Sequence, residues 1–214
     1  MKGSYTPEFR AEMMDLLRWR RDVRHFRRDP VEAAVLDRCL LAFGLAPSVG
    51  LSEPWRLVRV DSSIARQAVT QNFEAANVAA LKGFIQGVAE DKAGLYATLK
   101  LAGLREAPIH IAVFCDDATA KGAGLGAATM PETRAYSVVG AITLFWLALR
   151  CEGLGLGWVS ILDPVQLAAD LAIPADWRLV AYLCIGWPQT DGTVPELHRL
   201  GWEQRAETLW MESR

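Results

Sequence analysis

The chain has 214 residues, is 51% hydrophobic and carries a formal charge of −2. That length and apolar content suffice for one sizeable core, so a single domain over residues 1–214 is expected. With no net basic charge, general binding to nucleic acid or a membrane surface is disfavoured, and the arginines act locally or not at all.

Thr6 followed by Pro7 predicts an N-cap and a first helical turn, after which Phe9, Met13, Leu16 and Leu17 recur at helical spacing. A second helix is predicted from Asp29-Pro30, with Glu32 completing a capping-box-like pattern and Gly44 as its stop. "APSVGLSEPW" (46–55) is loop chemistry and "RLVRV" a short strand. From Ser62 to about Glu106 the pattern is helical and rich in Ala. "IHIAVFCD" (109–116) reads as a strand, "KGAGLGAATMPE" as a Gly-rich loop, and Thr133 to Glu152 as a helix with a long apolar face. The strand "WVSI" (158–161), a short helix after Pro164, the strand "RLVAYLCIG" (178–186) and a polar tail complete an α+β pattern.

Cys39, Cys115, Cys151 and Cys184 lie far apart with no C-x-x-C pair, the usage of buried free thiols rather than of disulfides or a zinc site. The first residues contain no hydrophobic signal core, which predicts a cytoplasmic protein. The longest apolar stretch, "VVGAITLFWLALR", is shorter than the roughly 20 residues of a bilayer span and reads as a buried helix. No metal-ligand cluster, Walker motif or G-x-S-x-G elbow is present, so no metal is expected.

"GLGLG" (153–157) follows a helix and precedes a strand, the reverse of a dinucleotide-binding fingerprint. It reads as a helix C-cap with a tight turn, or as backbone over which a flat ligand lies. "RRDVRHFRRDP" (20–30) holds five arginines behind the first helix. Either it is a solvated basic helix end, or Arg20, Arg21 and Arg24 form a fork-shaped clamp for a phosphate. Asp22 has no use in a pure phosphate clamp. From the residues alone it reads as an ion-pair partner for Arg21 or Arg24.

"RRDVR", "APSVG" followed by "PW", and "GLGWVSI" together resemble the flavin-destroying 5,6-dimethylbenzimidazole synthases, within the FMN-dependent nitroreductase superfamily. The likeness runs from about Trp19 to Arg205. It implies a central mixed, mainly antiparallel sheet flanked by helices, in an intertwined homodimer with FMN at the subunit interface. It also implies that Arg20, Arg21 and Arg24 clamp the FMN phosphate and ribityl chain. Ser48 and Trp55 then contribute from the second loop, Gly157 and Ser160 lie against the flavin ring, and Arg205 adds a C-terminal phosphate contact with Arg199 as a weaker candidate. Residues from about Lys82 to Arg105 resemble a lid. Glu53 stands where Gln is common in the family, and the loop at 121–132 is unusually rich in Gly and Ala.

In that family reduced FMN is the substrate and O2 the co-substrate. The products are 5,6-dimethylbenzimidazole, the lower ligand of cobalamin, and erythrose 4-phosphate. Taking the ribityl chain apart needs proton transfers, which a positioned carboxylate accelerates by about 10²- to 10⁴-fold. The resemblance therefore puts Asp22 in the proton-transfer role and Ser160 in the role of an orienting hydrogen-bond partner. A separate NAD(P)H-dependent flavin reductase would supply reduced FMN. Two other readings of the same residues are an NAD(P)H-dependent nitroreductase or flavin reductase, and a non-catalytic flavin-binding protein.

Overall fold

Strands β1 (Trp55–Arg59), β2 (Ile109–Asp116), β3 (Gly155–Val159) and β4 (Trp177–Gly186) form one sheet in the order β1-β2-β4-β3. The computed structural model describes residues 3–83, 92 and 102–214. All three strand pairs are antiparallel, and the parallel component of this sheet is a single bridge between Asp22 and Leu156. Around the sheet lie helices α1 (Pro7–Trp19), α2 (Ala33–Leu40), α3 (Ser63–Gly83), α4 (Gly103–Glu106), α5 (Thr133–Cys151), α6 (Pro164–Asp170) and α7 (Glu196–Arg199).

Alternation along β2 divides the core between the two faces of the sheet. Ile109, Ile111, Val113 and Cys115 pack with α2 and α5, whereas Ala112 and Phe114 pack with Val69 of α3 and Leu167 of α6. One face of α5 (Val138, Ala141, Ile142, Phe145, Leu149) is buried against the sheet. At 19 residues this helix is long and apolar enough to cross a membrane, because "TRAYS" joins the shorter apolar run. Here it is the core helix.

Thr6 caps α1 as its sequence indicates, with Oγ1 accepting from the Phe9 N–H at 3.2 Å. Asp163 does the same for α6, accepting from Val165 and Gln166. Two boundaries differ from expectation. The second helix starts at Ala33, because Asp29 faces Arg27 at 3.5 Å instead of capping, and a 3-10 turn at Leu41–Leu45 replaces its last turn. In "GLGLG" the C-cap reading holds for Gly153, whose φ of +79° ends α5 while the Leu154 N–H bonds back to Leu149. Gly155 and Gly157, however, belong to β3, which therefore starts three residues before the predicted "WVSI" and ends at Val159. All four cysteines are free, but Cys151 is exposed rather than buried, since it falls on the outer side of α5.

Candidate active site

β3 is an edge strand, and its outer rim carries backbone groups that no further ladder satisfies. The segment after α1 fills that rim. The Val23 N–H donates to the Leu156 carbonyl at 3.0 Å, and the Trp158 N–H donates to Asp22 Oδ1 at 2.9 Å. Only glycine permits this approach, because a Cβ at Gly157 would lie 2.3 Å from the Val23 carbonyl oxygen. The close neighbour at the Gly157 Cα is thus the chain's own backbone.

Laid along the rim, the arginines diverge. Arg20 stacks on Trp146 of α5, its guanidinium carbon 4.6 Å from the ring centroid. Arg21 Nε donates to the Thr193 carbonyl at 2.5 Å. Arg24 Nε lies 3.5 Å from Asp22 Oδ2. Arg20 and Arg21 form no ion pair with a carboxylate among the described residues. Burial first, and then the positive charge of Arg205, push both guanidinium groups below their ordinary value. Arg20 and Arg21, without carboxylate partners and near enough to Arg205 to feel its charge, make a site that favours an anion.

Arg21, Asp22 and Arg24 also line a cavity of about 400 Å³, with Arg199 and Glu196 on its far side. Asp22 keeps 38% of its side-chain surface because it faces this cavity, while protein surrounds it at longer range. That surrounding burial raises the Asp22 carboxyl above the usual range and Glu196 adds to it, against the Trp158 N–H and Arg24, which both favour the anion. A carboxyl raised in this way in a cleft is a candidate proton-transfer group.

The remaining predicted residues do not line this cavity. Ser48 Oγ accepts from the Glu53 N–H at 3.1 Å, and its neighbour Val49 is tied to Ser137 near the start of α5. Trp146 lies nine positions after Ser137, about 14 Å along the helix axis, so the Ser48 loop and Arg20 meet α5 at different levels. Trp55 packs on Phe43, centroids 6.1 Å apart, within the core. Ser160 follows the end of β3 and is exposed, as is Arg205. Glu53 pairs with Lys121, so the two departures in the sequence are each other's partner. Of the lid segment, residues 84–91 and 93–101 lie outside the described residues; Lys92 donates to the Trp202 carbonyl at 2.8 Å.

Sequence reasoning missed Trp19, Arg150, Asp191 and Glu196, all on the cavity wall. One signal was present: Arg150 is the only charged residue from Ala135 to Cys151.

A family model described as Nitroreductase family matches residues 17–187. The chain belongs to the nitroreductase family. Within the family, it is 54% identical over 201 residues to a 5,6-dimethylbenzimidazole synthase of Rhodospirillum rubrum, covering 94% of this chain and 93% of that one. Among solved nitroreductase-like structures, it superposes on an iodotyrosine deiodinase bound to FMN and 3-iodo-L-tyrosine with a TM-score of 0.72 at 21% identity, covering 94% of this chain and 99% of that one. A BluB-like flavoprotein of Clostridium difficile 630 gives 0.65 at 20% identity, covering 86% and 93%. These two structures share the fold. Among the described residues no group of three or more His, Cys, Asp or Glu side chains is placed to hold a metal.

Proposed function

We propose that the chain is a 5,6-dimethylbenzimidazole synthase, an enzyme that consumes reduced FMN and O2 in making the lower ligand of cobalamin. The 54% identity to a relative of that name over nearly the whole chain supports the activity. The observation that carries the mechanism is the cavity-facing Asp22 carboxyl, raised by burial and set inside an arginine cluster. A reaction that only recycles a hydride through FMN needs a phosphate clamp and a ring platform, but no acid–base group among the arginines.

In this reading Arg20, Arg21, Arg24 and Arg205 hold the phosphate end of FMN, which the unmatched charge of Arg20 and Arg21 fits. Ser48, Trp55 and the Gly157 backbone complete the flavin pocket, and Ser160 orients the bound molecule. FMN supplies the carbon skeleton and the electrons that reduce O2. Asp22 moves protons at the ribityl hydroxyls, held in one rotamer by the Trp158 N–H so that Oδ2 faces the cavity with Arg24.

The exposed apolar residues Phe9, Met13, Met14 and Leu17 of α1, with Leu209, Trp210 and Met211 of the tail, support an intertwined homodimer of single-domain subunits. A separate flavin reductase supplies reduced FMN in the cytoplasm.

The test is to give the protein reduced FMN and air and to seek dimethylbenzimidazole by mass spectrometry. The expected result is product formed in step with FMN lost. FMN that survives many NAD(P)H-driven turnovers would show a nitroreductase instead, and tight binding with neither outcome a flavin carrier. Asp22→Asn is expected to bind reduced FMN nearly as well as the native chain and to yield almost no product. Full yield would reduce Asp22 to an ion-pair partner.

A further inference from the structure

Arg150 is buried, with 2% of its surface exposed, in the last turn of α5. Taking a guanidinium out of water is costly unless its donors and charge are matched. Here the matching comes from three separate segments that meet at the cavity. The guanidinium carbon lies 3.4 Å from the ring centroid of Trp19, which ends α1 immediately before Arg20 and Arg21. One terminal nitrogen donates to the Gly153 and Leu154 carbonyls, each at 3.4 Å, where α5 turns into β3. The other pairs with Asp191. Asp191 lies two residues before Thr193, the residue whose carbonyl receives Arg21 Nε. The Nε–H of Arg150 is buried without a partner among the described residues.

We propose that Arg150 is a positioning residue: it binds the end of α1, the α5–β3 turn and the 190–194 loop into one wall, and thereby sets Arg21 for an incoming phosphate. The argument follows from which groups are joined. Arg21 is attached at its backbone to Trp19 through Arg20 and at its side chain to Thr193. Both attachments lead back to the Arg150 guanidinium. Release of that centre leaves the Arg21 fork without a fixed origin or a fixed rest. A planar group is required, because lysine can pair with Asp191 but cannot also stack on Trp19 and reach two carbonyls.

The inference rests on the reading that the arginine cluster holds a phosphate, and its test separates the two. Fluorescence titration measures binding of FMN and of riboflavin, the same molecule without the phosphate, to the native chain, R150M, R150K and D191N, with a thermal midpoint for each. The native chain is expected to prefer FMN. R150M is expected to lose about tenfold of that preference with little change in riboflavin affinity, since hydrogen bonds to charged groups are strong ones. R150K is expected to resemble R150M. D191N, altered at a largely exposed carboxylate, keeps the fold and is expected to lose about threefold, an intermediate loss from breaking one of the matched contacts. An unchanged preference in D191N and in R150M overturns the proposal. So does an equal loss of both ligands alongside a lowered midpoint, which marks a merely structural arginine. A native chain with no preference for FMN overturns the phosphate reading itself.

Discussion

Asp22 and Trp158 are joined as neighbouring strands are joined, except that a side chain stands in for a carbonyl: the Trp158 N–H donates to Asp22 Oδ1 at 2.9 Å on the free edge of β3. The carboxylate completes the sheet with one oxygen and faces Arg24 with the other. Because burial raises its pKa, the folded chain holds the Asp22 proton more firmly than the unfolded chain does. Stability therefore falls as pH rises from the unfolded carboxyl value through the folded one, and the penalty persists above it. Asp22→Asn keeps an acceptor for Trp158 and removes the charge. Without ligand it is expected to melt at or above the native midpoint at neutral pH. The difference should close below about pH 3, where the native carboxyl is protonated in both states. A variant that melts well below the native chain at pH 7 would show that the ion pair with Arg24 outweighs desolvation.

Gly157→Ala tests whether that edge contact organises the site. The new Cβ would lie 2.3 Å from the Val23 carbonyl oxygen, which is backbone and cannot swing aside. The segment 22–24 must lift from β3, weakening both the Val23–Leu156 and Trp158–Asp22 bonds. Overpacking of this kind costs about 1–3 kcal/mol. Displacing Asp22 by an ångström is expected to lower dimethylbenzimidazole yield by about a hundredfold. Urea unfolding and single-turnover product yield measure the two effects separately.

Much of this arrangement was legible from residue order. Thr6-Pro7 and Asp163-Pro164 mark helix starts because the cap and the fixed proline φ are local properties. "IHIAVFCD" reads as a strand because both of its faces are buried. "RRDVR" showed an arginine cluster in a chain of no net basic charge, which left a solvated helix end and an anion clamp both open. What failed was set by contacts distant in sequence. The capping power of Asp29 is diverted to Arg27, and Gly155 and Gly157 of "GLGLG" answer to Val23, more than 130 positions away. Arg150 finds Trp19 and Asp191 across 131 and 41 positions, so no periodicity could place it on the cavity wall.

His110 provides an acid-stability signature independent of the site. It is 1% exposed, its Nδ1 lies 2.8 Å from the Tyr182 hydroxyl, and its Nε2 has no partner among the described residues. Burial, reinforced by the nearby Arg66 charge, lowers its pKa to about 4. The neutral ring is the form that folds. Stability is therefore complete above the unfolded value near 6.5 and is lost as pH falls from there towards 4. The full loss is about 3 kcal/mol. In His110→Gln, the slope of unfolding free energy against pH between about 6.5 and 4 is expected to flatten, whatever the overall stability of the variant. An unchanged slope would place the titration elsewhere.

Glu53 and Lys121 join two loops that approach each other through glycines. A Cβ at Gly122 would lie 2.4 Å from the Gly50 carbonyl oxygen, and Glu53 itself adopts a left-handed φ of +44°. Glycine contacts bring the backbones together, and the ion pair closes the rim above them. Both side chains are partly exposed, at 34% and 54%, so solvent screens the pair and its coupling should stay below about 1 kcal/mol. A double-mutant cycle with Glu53→Gln and Lys121→Met is expected to give that coupling at low salt and to lose most of it at about 1 M salt. Gly122→Ala, by contrast, forces backbone apart at a φ of +82° and should cost several times more, with no dependence on salt. If the cycle gives the larger energy, charge rather than backbone fit holds the two loops, and Glu53 becomes the residue that fixes the loop beside Ser48.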